Sequence, residues 1–148
     1  MEKGPNLEKS PYYKWLVTIA VMSGATLVVL DITIVNVALP QIMASFGVTV
    51  DKIQWVLTAY MLTMAIMMPS VGWLSGRIGN KALFIVSLVV FTISSALSGM
   101  AWNEDALIVF RALQGTGAGS LMPIALVVIF EAFPPDERGL AMGVYGVA

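Results

Sequence analysis

Two ionisable residues sit alone inside long apolar stretches: Asp31 within residues 16–39 and Arg111 within residues 106–130. A charge near the middle of a bilayer costs about 2.5–3.5 kcal/mol on insertion scales, so the default reading of each is functional. A carboxylate in a water-filled cavity can exchange protons with one side of the membrane at a time, and a cationic substrate can compete for it. Along ideal helices, Asp31 lies about 22 Å from the start of its stretch and about 12 Å from its end. Arg111 lies about 7.5 Å from the start of its own. If the two helices run in opposite directions, both charges fall in the same half of the membrane. The depth mismatch of about 5 Å at 1.5 Å per residue is within an arginine's reach. An Asp–Arg pair would lower the cost of burying each charge. Two plainer readings stay open: Asp31 pairs with a neighbour only for assembly, and Arg111 extends to the near interface.

The composition says what must hold these charges. Of 148 residues, 58% are hydrophobic and 11% charged, and the mean hydropathy is +0.86. A soluble domain is typically about half apolar and a quarter charged. So much apolar side chain needs a second apolar phase, a bilayer. The net charge is -1, which offers no basic face for nucleic acid. Histidine and cysteine are absent, so thiolate chemistry and the usual soft metal sites are excluded. No nucleophile–base pair and no acidic cluster fit for a metal is present, which argues against an enzyme.

The segments 16–39, 53–74, 82–102 and 106–130 each exceed the roughly 20 residues needed to cross about 30 Å of hydrocarbon. In lipid such segments are helices, because the backbone must satisfy its own hydrogen bonds. The first is too long for a signal peptide, and Pro40 is expected to end it. A fifth helix is expected from about residue 140, with too few residues to span. The organisation is then a cytoplasmic segment, 1–15, and a partial transmembrane bundle, 16–148. Connections 75–81, 103–105 and 133–139 are too short for a soluble domain. Lys3, Lys9, Lys14, Arg77, Lys81 and Arg138 fall on one side and only Lys52 on the other, which places the N-terminus in the cytoplasm. Tyr12, Tyr13 and Trp15 then mark the inner interface, Trp55 and Trp102 the outer one.

Small residues and prolines punctuate these segments. Gly115 and Gly119, four apart, let helix backbones approach closely, and Gly72 and Gly76 are expected to do the same. The run containing Gly115, Gly117 and Gly119 has the wrong spacing for a dinucleotide fingerprint. Pro69 and Pro123 are expected to kink the second and fourth helices, as shape or as hinges.

Several strings resemble the 14-helix drug:proton antiporters of the major facilitator superfamily. "LDITIVNVALP" at 30–40 resembles their first-helix signature and carries Asp31, Thr33, Asn36 and Pro40. "GWLSGRIGNK" at 72–81 is similar to the superfamily loop G-x-L-a-D-R-x-G-r-K. "RALQGTGAGSLMP" at 111–123 is similar to the fourth-helix motif R-x-x-Q-G-x-G. "QWVLTAY" at 54–60 and "PPDERGLAMG" at 134–143 extend the match over nearly all of the chain after residue 14.

The resemblance implies an all-α bundle of two inverted three-helix repeats per half, here four complete helices and the start of a fifth. It implies export of lipophilic, often cationic drugs, driven by the proton gradient and needing no cofactor. Asp31, Arg111, Asn36 and Gln114 would serve substrate and proton coupling. Gly72, Arg77, Gly79 and Lys81 would form the cytoplasmic conformational gate, and Gly115, Gly119 and Pro123 the helix packing. Two positions depart from the loop motif: Gly76 stands where the acid is expected, and Asn80 at the second basic position. The latch is then weaker, or another residue supplies it.

The expected partners are drugs and protons, the inner or plasma membrane, the remaining helices of a longer transporter and, in some systems, a periplasmic adaptor; nucleic acid is not among them. Four helices and half a fifth are expected to insert without transporting anything alone. Competing readings are a substrate-specific symporter or metabolite exporter of the same fold, and a non-transporting tetraspan subunit.

Overall fold

The computed structural model describes residues 12–146. Lys3 and Lys9, part of the charge asymmetry, lie outside the described residues. Four long helices follow one another, α1 (Tyr13–Phe46), α2 (Val50–Ile78), α3 (Asn80–Gly99) and α4 (Glu104–Ala132). A 3-10 turn (Pro135–Glu137) leads into a short α5 (Arg138–Gly146). All four long helices are long and apolar enough to cross a membrane, and no strand occurs among the described residues.

The helices outrun the apolar stretches that announce them. α1 has 34 residues, about 51 Å at 1.5 Å per residue, against about 30 Å of hydrocarbon. Hydropathy detects only the lipid-embedded part, whereas helical hydrogen bonding continues into the polar interface. Pro40 does not end α1, contrary to expectation, but lies inside it. It removes a single donor, a loss that nearby polar groups and small backbone adjustments can absorb. The helix stops at Gly47, at φ 63°, whose N–H reaches back to the Met43 carbonyl.

The expected seven-residue link at 75–81 contracts to one residue. α2 runs to Ile78 and α3 starts at Asn80, with only Gly79 between them. Gly79 adopts φ 84°, ψ 152°, a region closed to residues bearing a Cβ, and this reverses the chain. At the opposite end Asn103 caps α4, its Oδ1 accepting from the Ala106 N–H at 2.8 Å. Glu104 and Asp105 then place negative charge in the first turn of α4, where the helix dipole favours it.

α4 is the hub, packed along its length on α2 and α3 and on one side of α1. Its glycines make this possible. A Cβ on Gly115 would collide with the Tyr60 carbonyl and the Thr63 hydroxyl, and one on Gly119 with the Met64 carbonyl, all on α2. A Cβ on Gly117 would lie 2.8 Å from the Ser87 carbonyl and the Phe91 nitrogen on α3. Backbones in van der Waals contact gain dispersion that lipid cannot match. Gly72 and Gly76 are a correction: a Cβ on either would meet nothing within 4 Å, so they make no close helix contact among the described residues.

α1 contributes a narrow seam. Thr18, Val21, Ala25 and Val28 are buried at alternating spacings of three and four, the geometry of one helix face. The next position on that face is Asp31.

Candidate functional site

The α1 seam carries Asp31 to α4 at the level where Arg111 and Gln114, three residues apart, share one face. A closed ring of hydrogen bonds results. Arg111 Nη1 donates to Asp31 Oδ2 at 2.6 Å and to Gln114 Oε1 at 2.8 Å. Gln114 Nε2 donates to Asp31 Oδ1 at 2.8 Å. The carboxylate thus has both oxygens occupied, and the glutamine bridges anion and cation.

A third helix closes the site from the side. Tyr60 of α2 presents the face of its ring to the guanidinium, with Arg111 Cζ 4.1 Å from the ring centroid. The Arg111 side chain is 1% exposed and that of Asp31 13%. The guanidinium is therefore almost wholly enclosed by the described helices and the carboxylate somewhat less so. Two isolated charges at this depth would each cost several kcal/mol, and mutual attraction together with the hydrogen bonds of the ring offsets part of that. The Arg111 Nε and Nη2 groups and the Tyr60 hydroxyl are buried with no hydrogen-bond partner among the described residues. Buried unpaired donors cost roughly 1–3 kcal/mol each, so this cluster sacrifices stability to hold a charge in place.

The other residues singled out from sequence lie elsewhere. Asn36 donates to the Ile32 carbonyl of its own helix at 2.8 Å and is exposed, so it does not join the ring. Pro123 lies inside α4, which continues to Ala132. Around the α2–α3 turn, the Arg77 guanidinium sits over the Trp73 ring at 4.1 Å. Lys81 and Glu131 border a cleft of about 630 Å³ between α1, α3 and α4, whose walls include Val17, Phe84 and Val128. Asn80 Nδ2 donates to Glu131 Oε1 at 2.6 Å. An acid on α4 therefore contacts the position where the loop motif has its second basic residue, while Gly76 has no neighbour.

Sequence reasoning missed Tyr60 and Glu131. The signal for Tyr60 was its place on the buried face of α2 after Ile53 and Val56, a polar-tipped aromatic in an apolar seam. Glu131 falls one residue past the fourth apolar stretch, where only the three-dimensional return of α4 to the α2–α3 turn gives it a partner. Two further ion pairs tie helix ends together: Lys14 with Glu137, and Lys52 with Glu104 at 3.1 Å.

A bundle of helices long and apolar enough to cross a membrane, with a buried acid–guanidinium pair between them, defines a polytopic membrane protein rather than a soluble binding module. Residues 21–148 match the family profile of the Major Facilitator Superfamily, and the chain belongs to that family of transporters. Multidrug resistance protein 3 of Bacillus subtilis is 42% identical over 88% of this chain and 25% of its own length. Multidrug export protein EmrB of Haemophilus influenzae is 38% identical over 89% of this chain and 26% of its own. Riboflavin transporter RibZ of Clostridioides difficile is 39% identical over 90% of this chain and 29% of its own. The chain therefore spans about a quarter of the length of the curated relatives it matches, and it is a multi-pass membrane protein.

Proposed function

We propose that this chain is the N-terminal part of a proton-coupled exporter of lipophilic or cationic drugs that works by alternating access. The observation that carries the reading is the closed Asp31–Arg111–Gln114 ring between α1 and α4. Protonation of Asp31 neutralises the acceptor of a charge-assisted bond, weakens the tie between the two helices and changes which packing is preferred. A cationic drug arriving at the carboxylate competes with that proton. Exchange of one for the other then follows from a single carboxylate serving two ligands. The proton gradient is the driving force, and no cofactor enters the scheme.

Orientation follows from the basic residues. Lys14, Arg77, Lys81 and Arg138 gather at one end of the bundle and Lys52 at the other, which supports a cytoplasmic N-terminus, and the reading assigns the protein to the inner or plasma membrane. Gly72, Arg77, Gly79 and Lys81 at the cytoplasmic α2–α3 turn act as the gate, with Asn80 and Glu131 supplying a contact that Gly76 cannot. In an inverted-repeat architecture, α1 to α3 form one repeat and α4 opens the next. The Asp31–Arg111 pair then links the first helices of two repeats that rock against each other.

The test is Asp31→Asn in the full-length protein. The amide keeps the size and one of the two acceptor oxygens but cannot titrate. Proton-gradient-driven efflux of ethidium should be lost from everted vesicles while membrane insertion stays normal. Unchanged coupled efflux would sink Asp31 as the coupling carboxylate, and absence of gradient-driven transport of any solute by the wild-type protein would favour a non-transporting tetraspan subunit. A substrate-specific exporter is the second reading, because one relative at 39% identity is named a riboflavin transporter. Absence of ethidium efflux in wild type, together with transport of a metabolite, selects it.

A further inference from the structure

We propose that Tyr60 is a positioning residue that holds the Arg111 guanidinium in register with Asp31 in both protonation states of the carboxylate. This rests on the proton-coupled reading above. Arg111 is held in two independent ways. In the plane of the guanidinium, Nη1 is bonded to Asp31 and Gln114. From a third helix, the Tyr60 ring face meets the cation, its centroid 4.1 Å from Cζ. The first hold depends on the charge of Asp31, whereas the second comes from the ring quadrupole and does not change when Asp31 takes up a proton. The ring attracts a cation most strongly where water is excluded, and both side chains are at most 1% exposed.

The ring is itself held rigidly. It belongs to an apolar cluster with Val28, Phe91, Ala118 and Leu121, and its carbonyl lies against Gly115, the residue following Gln114. Close approach of α2 and α4 at Gly115 therefore sets the distance between ring and guanidinium. With Nε and Nη2 making no bond among the described residues, Tyr60 and Gln114 are what keeps the cation in place once the carboxylate is neutral. A guanidinium that stays is ready to recapture Asp31 when the proton leaves, which makes the cycle reversible without loss of register.

The test uses the full-length protein with Tyr60→Phe, Tyr60→Met and a graded series of fluorinated phenylalanines at position 60. Fluorination weakens the quadrupole at nearly constant shape. Carbodiimide attacks a carboxyl that is protonated and unpaired, so its rate of reaction with Asp31 at fixed pH reports how firmly Arg111 is held. Tyr60→Phe should react within about twofold of wild type. Tyr60→Met, checked as monodisperse, should react roughly five- to tenfold faster, in line with loss of a desolvated cation–π contact. It should also lose gradient-driven efflux while keeping downhill exchange. The fluorinated series should rise stepwise, and it decides the matter if Tyr60→Met does not fold. A flat fluorination series, or Tyr60→Phe as reactive as Tyr60→Met, would overturn the proposal. The labelling needs no transported substrate, so it stands apart from failure of the drug-export reading, which Asp31→Asn reports.

Discussion

The mid-bundle ring and the α2–α3 turn hold polar groups under opposite conditions. Asp31, Arg111, Gln114 and Tyr60 are enclosed by three helices, and the charged pair is bonded at 2.6 Å. Arg77, Asn80, Lys81 and Glu131 lie at the end of the bundle, largely exposed, where Asn80 and Glu131 are bonded just as closely at 2.6 Å and Arg77 sits over Trp73, but within reach of water. Where water is excluded, every charge must be answered by another, so the residues are mutually dependent. At the interface, water and headgroups answer for any missing partner. A glycine such as Gly76 at the exposed turn therefore leaves no buried group unpaired, whereas removing one member of the ring strands the polar groups of the others. The lesson is that depth in the membrane, more than motif membership, sets how tightly a polar residue is constrained.

The comparison breaks most visibly at Arg111. Arg111→Met leaves Asp31 buried without its counter-charge and should cost about 3–5 kcal/mol, seen as a large drop in thermal midpoint in detergent. Adding Asp31→Asn to it should restore much of the loss. A double variant no more stable than the single one would mean that the ring is not an energetic unit.

Gly115→Val comes next. Its side chain must push α2 away at Tyr60 and should cost about 1–3 kcal/mol through overpacking, together with loss of coupled transport. Gly72→Val, at a glycine with no neighbour within 4 Å, should cost well under 1 kcal/mol of stability. Equal effects at the two sites would contradict the close α2–α4 approach. At the turn, Gly79→Ala forces a Cβ into a positive-φ conformation and should cost about 1–2 kcal/mol, measurable as a lower thermal midpoint with the ring undisturbed. The smallest effect is expected for Lys52→Ala, which removes an exposed pair with Glu104. It should change stability by less than about 1 kcal/mol, and less still at high salt.

Particular residues show where sequence reading succeeds in this chain. Four spans, their all-α character and the pairing of Asp31 with Arg111 were legible, because bilayer thickness and the cost of buried charge act on local composition alone. Close packing was expected from spacing four at Gly115 and Gly119 and occurs there, but the same spacing at Gly72 and Gly76 produced none among the described residues. Helix ends were not: Pro40 looked like a stop and lies six residues inside α1, and a seven-residue link became Gly79 alone. A break in hydropathy marks the edge of the hydrocarbon, while a helix ends where backbone hydrogen bonds run out.

What required the tertiary structure was the identity of partners. Nothing local distinguishes Gly119, pressed against Met64, from Gly76, where an added Cβ would meet nothing within 4 Å among the described residues. Tyr60 and Glu131 acquire their contacts only when α4 folds back beside α2 and α3, and Asn36, five residues beyond Asp31, turns away to its own helix. Composition determines that a charge in the membrane must be neutralised; the crossing of α1, α2 and α4 determines which side chains do it, because pairing over a few ångströms depends on rotation and depth that a linear pattern does not encode.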